Sequence, residues 1–466
     1  MITANRPLAR VIGGAGFFAL AFGSIIGSGW VVVLGDWLKA SGPGGAVLGF
    51  AAGTVLMAIV AAAYAELLAR CPRAGSEFTF ILEGLGTGWA HVVGWFIGLY
   101  IVAFTAFEAL ALTWFLEILI PPLATGPIAY NLLGQDVPVF TLVIGISGAI
   151  VLTLFNSIGA QVAIGFQQLV TFAFIGVSAA LILLGFWNGT AVNWQPLFKA
   201  PAGESLAGGI LWIFAGSTLF LSGFQSAANA VEERAVATGF RTVAWSMIGA
   251  VVAAGLFYCL IILASSALRP WQELPSQALP VTAAFESALP NGLAARMVLI
   301  AATISLIKTW NALHLSASRL LLAQARSGLL PSMLQQVDPG HGIPRNAVLF
   351  VGAVTCFGVS LGRGAIIPII NMSTVCVAVT VVLCLVALLH LRGRLQGRPE
   401  FRVFGGTFVI VLAMIGASGA AVMAAVAPFS AADGMPLELK LLAGWALLGA
   451  LLVAFRKFRD ARGRGH

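Results

Sequence analysis

One lysine of this 466-residue sequence lies deep inside an apolar segment. Lys308 stands twelve residues after Arg296 and eleven before Arg319, so in a helix it is about 17 Å from either arginine. A lysine side chain is too short to span that distance. Ser305 and Thr309 share its helical face, so we expect the ammonium to point into the interior beside two hydroxyl groups, where it couples ions or sets the charge of a bound molecule. A neutral lysine, or a fixed partner for Glu108, is the structural alternative.

Glu108 is an acid in a comparable position. It is flanked by Phe107 and Ala109 in a long apolar stretch, and a carboxyl group at such depth is costly unless it faces the protein interior. It can be a hydrogen-bonded packing residue, or it can handle a proton or a substrate. The sequence leaves both roles open.

Two apolar stretches contain glycines and hydroxyl residues at their centres. The first is Gly23–Trp30, and the second is Phe214–Asn229. Glycine costs about 1 kcal/mol relative to alanine in a helix interior, so each stretch predicts a helix that is interrupted at membrane depth. Unpaired backbone groups are tolerated there only beside protein or a water-filled cavity, and two such interruptions indicate a binding site near the bilayer midplane. Close packing through small residues is the alternative for the first stretch alone.

Composition fixes the environment of the chain. Hydrophobic residues make up 59% of it and charged residues 9%, and the mean hydropathy is +0.98, whereas a soluble domain carries about 25% charged residues. The chain is therefore expected to be a polytopic membrane protein that keeps its first apolar segment as a helix. The five cysteines have no metal-ligand or paired spacing, and we expect them to be free thiols.

Hydropathy and helix breakers predict an all-α integral membrane fold with twelve transmembrane helices. The predicted spans are residues 8–37, 43–70, 88–119, 138–156, 160–187, 206–232, 238–268, 292–326, 345–362, 365–391, 404–427 and 437–458. Most arginines then fall on the side that holds both termini, and the positive-inside rule makes that side cytoplasmic. We expect a multi-pass protein of the cytoplasmic (inner) membrane.

Other function classes receive no support. Clustered histidines, a nucleophile with a base, and a sizeable soluble domain are all missing from the sequence, so no enzyme, catalytic residue, metal or cofactor is expected. The basic residues are dispersed over loops and a short tail, which argues against nucleic-acid binding.

The sequence resembles the amino acid, polyamine and organocation superfamily of secondary transporters. The resemblance covers the first ten predicted spans and is strongest in four motifs: Gly23–Gly29; Tyr64-Ala65-Glu66-Leu67 with Pro72–Glu77; Ser222–Asn229 with Glu232-Glu233; and Asn311 with Ser318-Arg319-Leu320 and Ala325–Pro331. It implies a five-plus-five inverted repeat whose first and sixth helices are broken. Residues 1–190 would form the first repeat, residues 191–395 the second, and residues 396–466 two extra helices and a cytoplasmic tail.

The resemblance also implies a substrate site between the two interruptions. Backbone N–H groups of the first would bind a carboxylate, and carbonyl groups of the second would receive an amino group, as the helix dipoles favour. Phe220 and Trp30 would be gating residues, Phe220 as the aromatic placed over the substrate and Trp30 by narrowing the pocket; simple packing is the alternative for Trp30. The implied substrate-binding residues are Ser24, Ile25, Gly27, Ser28, Gly29, Trp30, Phe220, Ser222, Gly223 and Gln225.

Two departures from the family pattern bear on the mechanism. Many relatives have a lysine in the fifth helix that replaces a sodium ion, and the matching position here is Gly165. We therefore expect Lys308, with Ser305, Thr309 and Glu108, to supply the coupling. Relatives often have an acid where this chain has Gln225, so a strongly cationic substrate is disfavoured because like charges repel in a low dielectric.

These features predict secondary active transport of an amino acid or related amine by alternating access. A neutral or acidic amino acid is favoured, with protons or sodium as coupling ions, in symport or exchange. The alternatives are a polyamine or cationic amino acid exchanger, a channel, and a sensor that does not transport.

Overall fold

The computed structural model of the protein describes residues 7–132, 135–200, 203, 205–394, 397, 399–426 and 439–451. Helices make up most of this part of the chain. In order they are α1 (Gly14–Ile25), α2 (Gly29–Val32), α3 (Leu34–Arg70), α4 (Ser76–Leu85), α5 (Thr87–Leu119), α6 (Val139–Ile158), α7 (Ala160–Asn188), α8 (Leu206–Phe220), α9 (Gln225–Asn229), α10 (Phe240–Leu268), α11 (Pro280–Phe285), α12 (Leu293–Arg326), α13 (Arg345–Ser360), α14 (Gly362–Arg394), α15 (Gly406–Val426) and α16 (Leu439–Leu451).

The helical, multi-pass architecture predicted from the sequence is confirmed. Ten helical segments of the described chain are long and apolar enough to cross a membrane, while α13 and α16 are shorter apolar helices. A helix needs about 20 residues to cross the hydrocarbon core, so the count of twelve spans stays a prediction. Residue 427 of the eleventh predicted span and residues 437–438 and 452–458 of the twelfth lie outside the described residues.

The predicted boundary between the first two spans coincides with a reversal of the chain inside α3. Gly42 has φ +72° and is followed by Pro43, a combination that ends one helix and starts another. The carbonyl of Leu197 accepts from the N–H of Gly44 at 2.8 Å. The segment before Gly42 is thus the continuation of the first span, and the segment after it is the second.

The start of the first predicted span is not helical. Residues 8–13 are extended, and Ile12 forms an isolated parallel bridge with Arg234. Its N–H donates to Glu233 O at 2.9 Å, and its carbonyl accepts from Ala235 N at 2.9 Å. We call this end of the molecule the α4 end, because Ala74, just before α4, donates its N–H to the Glu232 carboxylate there at 3.0 Å.

A β-hairpin departs from the all-α prediction. Strands β1 (Ile128–Leu132) and β2 (Gln135–Pro138) pair in antiparallel register in the connection between α5 and α6. The hairpin is mostly exposed, and Tyr130 donates to the carbonyl of Ser360. It lies outside the helical core.

Helix α12 is the central element of the bundle. It contacts α1, α5, α7, α9 and α13, and most of its residues are buried. Helix α1 also packs against α7 and α10, and α3 packs against α8 and α10. Both interrupted helices are therefore held against the bundle interior.

Candidate functional site

The first interruption separates α1 from α2 by three residues. Ile26 is extended, with φ −96° and ψ 101°, and ends α1. Within the described chain, the backbone N–H groups of Gly27, Ser28 and Gly29 have no backbone acceptor. These donors are available to an anionic group, as at the N-terminus of any helix.

Polar side chains of α12 satisfy the carbonyl oxygens that the interruption leaves unpaired. Lys308 Nζ donates to Gly23 O at 3.1 Å and also to Ile26 O. Thr309 Oγ1 lies 2.9 Å from the same two oxygens, and Ser305 Oγ donates to Ile26 O at 2.8 Å and to Gly27 O at 2.9 Å. The predicted helical face thus meets the predicted interruption.

Lys308 is completely buried. Its Nζ lies 4.6 Å from the ring centroid of Phe174 and 5.8 Å from that of Phe22, distances at which a cation and an aromatic face attract. The ammonium is thus enclosed by backbone carbonyls and aromatic faces.

Glu108 lies on the other side of the interruption. Its side chain is 3% exposed, and its Oε1 is 3.4 Å from where a Cβ on Gly27 would stand. Its Oε2 has no hydrogen-bond partner among the described residues. A carboxyl group therefore borders the backbone donors that could bind a substrate carboxylate.

The second interruption separates α8 from α9 and touches the first. Gly223 has φ +121°, and a Cβ there would lie 2.5 Å from Ser24 O, so only glycine allows the two backbones to approach this closely. Gly223 N donates to the amide oxygen of Gln225 at 2.6 Å. The hydroxyls of Ser24 and Ser222 donate to carbonyls of their own helices, Leu20 O and Leu219 O.

Phe220 closes the side of the site opposite the α4 end. A Cβ on Gly29 would lie 2.5 Å from its ring, so the ring rests on the start of α2. Ring centroids lie 5.1 Å away for Trp37, 6.1 Å for Tyr258 and 6.4 Å for Phe50. These four residues form what we call the aromatic cluster.

Trp30 lies elsewhere. It is fully buried, with ring centroids 6.3 Å from Phe174 and 5.4 Å from Phe257. The structure places it in aromatic packing near Lys308, and its role as a gate stays a prediction.

The position matched to the family lysine of helix five does not face the site. Gly165 is exposed, whereas Gln167, two residues further along α7, is buried and donates to Ala19 O at 3.1 Å. Two residues turn a helix by about 200°, so Gly165 and Gln167 lie on opposite faces of α7. The sequence signal that was missed is Gln167 together with Thr171. Polar residues within an apolar span face other parts of the protein.

A small cavity of about 20 Å³, roughly the room that one water-sized group needs, extends from the second interruption toward the α4 end. Its lining includes Gly223 of the interruption itself. The polar residues that line it include Glu77, Tyr100, Gln225, Asn229, Ser316 and Thr380. Of these, only Gln225 was predicted from the sequence.

Apolar helices around a buried polar site with two helix interruptions define a multi-pass membrane transporter. The amino acid permease family matches residues 12–451, and the chain belongs to this family. The family and its relatives are transporters and not enzymes, so the superfamily recognised from the four motifs is confirmed.

Named relatives differ in what they carry. The chain is 24% identical over 378 residues to the branched-chain amino acid permease BcaP of Bacillus subtilis, covering 78% of this chain and 76% of the relative. It is 26% identical over 423 residues to a methylthioribose transporter of Bacillus subtilis, covering 89% and 87%. It is 27% identical over 359 residues to the vacuolar cationic amino acid transporter 4 of Arabidopsis thaliana, covering 75% and 58%.

Proposed function

We propose that this permease carries an amino acid across the cytoplasmic membrane by secondary active transport with alternating access. The substrate lies between the two helix interruptions. Its carboxylate binds the free N–H groups of Gly27–Gly29, and its amino group binds the carbonyls of Phe220–Gly223. The names of the relatives support an amino acid as the substrate class.

The observation that carries this proposal is the contact between α12 and the first interruption. Lys308, Thr309 and Ser305 converge on carbonyl oxygens that have lost their helical partners. An unwound segment costs free energy unless its polar groups are satisfied, and α12 satisfies them with a permanent cation in place of a bound one. The segment is thereby held open for a ligand.

Glu108 supplies the proton coupling in this proposal. A substrate carboxylate at Gly27 would stand beside the Glu108 carboxyl group, and two carboxylates in one buried site share a proton instead of both ionising. Substrate binding therefore requires a proton on Glu108. Transport is then proton symport or exchange of one carboxylate for another.

A neutral or acidic substrate side chain fits the charges best. Lys308 places a cation close to the site, and the position after Phe224 is the neutral Gln225. A cationic amino acid is the second candidate, favoured by Glu77, whose carboxyl group lines the cavity below the site, and by the plant relatives.

The order of elements supports the five-plus-five repeat. Each proposed half opens with an interrupted helix, α1–α2 and α8–α9, and continues with long apolar helices. Residues 1–190 and 191–395 form the two halves, and residues 396–466 lie outside them. In this assignment both termini and the α4 end are cytoplasmic.

Uptake by purified protein in liposomes tests the proposal. Radiolabelled leucine, glutamate, arginine and methylthioribose are compared under an inward proton gradient, an inward sodium gradient and no gradient. We expect leucine or glutamate to accumulate with the proton gradient. The proposal is overturned if no amino acid is transported, whether or not methylthioribose accumulates. Unitary currents would instead identify the protein as a channel.

A further inference from the structure

Among the described acids at the α4 end, Glu77 differs from the others in having no arginine partner. Glu66, Glu232 and Glu233 each pair with an arginine, whereas no ion pair involves Glu77 in the part of the chain that the structure describes. Its side chain is only 5% exposed and lines the cavity below the second interruption. A buried carboxylate without a counter-ion is unfavourable unless it takes up a proton or a cation enters.

The rest of the cavity wall also offers acceptors. Asn229 is 1% exposed and donates its amide N–H to Ser316 Oγ at 2.8 Å, and its Oδ1 has no partner among the described residues. Thr380 Oγ1 donates to Cys376 O at 2.7 Å, so its oxygen can still accept. A carboxylate and two neutral acceptors match the three N–H donors of a primary ammonium group.

In the described part of the chain, no cation pairs with Glu77. The titratable groups that interact with it are Tyr64 of α3, Tyr100 of α5 and Cys384 of α14, and none of them is cationic. Helix α9 has no titratable residue. Arginines on two helices that pack on α4 form ion pairs with other acids. Arg319 of α12 pairs with Glu233, and Arg326 of α12 pairs with Glu232. Arg392 of α14 pairs with Glu66.

Burial raises the pKa of Glu77 to about 7. The carboxyl group is therefore partly ionised near neutral pH, and an entering cation completes its ionisation.

We propose that this cavity is a second station for the amino group of the substrate, in which the Glu77 carboxylate pairs with the ammonium while Asn229 and Thr380 accept its other N–H groups. The proposal rests on the proposed transport of an amino acid. Because the cavity begins at Gly223 and Gln225, an amino group that leaves the second interruption reaches Glu77 without crossing bulk water. The station lies on the route to the α4 end.

Calorimetry with n-butylamine and the purified full chain tests this station. The probe has no carboxylate, so its binding does not involve the proposed carboxylate site. Wild type should bind the amine and not 1-butanol. Glu77→Gln should lower the affinity by about tenfold or more, as loss of a charge-assisted bond does. Glu83→Gln is the matched control, since Glu83 lies in the same helix but is exposed and paired with Arg73.

Thr380→Val is a second variant that keeps Glu77, and it should weaken amine binding by a few-fold, so the result does not depend on Glu77→Gln folding. Between about pH 8 and about pH 6 the wild-type affinity should fall about tenfold as Glu77 takes up a proton, and the profile of Glu77→Gln should be flat. A merely structural Glu77 would not produce this profile.

No amine binding by wild type, unchanged affinity in Glu77→Gln, or preferential binding of sodium chloride would overturn the station. Amino acid uptake by wild type is measured separately. If amino acids are taken up but amine binding does not depend on Glu77, the station alone is refuted. If amine binding depends on Glu77 but no amino acid is taken up, the proposed function is refuted.

Discussion

In the proposed mechanism, the ammonium of Lys308 takes the place of a free ion and, as part of a side chain, cannot leave. It donates to carbonyl oxygens of Gly23 and Ile26, which are the kind of ligands that hard monovalent cations also use. Thr309 and Ser305 would remain around the vacated position if the lysine were removed. We therefore expect the site to be stable without sodium.

Lys308→Ala should reduce uptake by about tenfold or more in sodium-free buffer, because hydrogen bonds from a charged group contribute about 1.5–3 kcal/mol each. Added sodium should restore part of the activity by filling the oxygen-lined space. Lys39→Ala, which removes an exposed lysine, is the control and should behave as wild type. Unchanged uptake and unchanged pH dependence in Lys308→Ala would contradict the assigned role.

Glu108→Gln should separate binding from proton coupling. Glutamine mimics the protonated acid beside Gly27, so exchange of labelled for unlabelled substrate should persist while accumulation driven by a proton gradient is lost. In wild type, uptake should rise as the external pH falls, because a protonated Glu108 does not repel the substrate carboxylate and can donate a hydrogen bond to it.

Exchange and proton-driven uptake in the same liposomes check this expectation. Glu286→Gln, at an exposed position, should retain both activities. Proton-driven accumulation by Glu108→Gln at the wild-type level would show that the proton travels elsewhere.

The two interruptions work as one element because their backbones touch. A methyl group at Gly223 would collide with Ser24 O at 2.5 Å, and its φ of +121° is unfavourable for alanine. Gly223→Ala should therefore destabilise the protein by about 1–3 kcal/mol and abolish uptake.

Gly216→Ala is the matched control in the preceding helix. No atom of the described residues outside the helix's own backbone lies within 4 Å of the added methyl group, and alanine favours the helix by up to about 1 kcal/mol. Thermal unfolding in detergent and liposome uptake distinguish the two variants. Equal behaviour would mean that the contact between the interruptions is not needed.

The two ends of the molecule differ in what lies beside the site. The aromatic cluster of Trp37, Phe50, Phe220 and Tyr258 packs on one side, while the cavity lined by Glu77 and Thr380 lies toward the α4 end. In the proposed mechanism, this asymmetry corresponds to one of the two states of alternating access.

In a cysteine-free variant, Thr380→Cys should react with a membrane-impermeant maleimide applied from the cytoplasmic side, and substrate should slow the reaction. Lys39→Cys, near the opposite end, should react only from the outside. Labelling of Thr380→Cys exclusively from the outside would reverse the proposed orientation of the chain.

Local sequence was sufficient to predict where the helices lie along the chain and which residues form part of the site. Apolar runs located the helices within a few residues, because hydrocarbon requires every backbone group to be paired within its own segment. The glycines of Gly23–Gly29 and the isolated charge of Lys308 identified the first interruption and its helical neighbour, since each is costly at membrane depth without a specific use.

Tertiary structure alone decided which groups meet. Gln167 instead of Gly165 faces α1, Trp30 packs away from the cavity lining, and Glu77 reaches the cavity from a helix outside the predicted spans. These outcomes depend on the rotation of each helix about its axis and on contacts between residues far apart in sequence. Hydropathy and spacing specify where a helix lies along the chain, but packing against its neighbours sets which side chains enter the site.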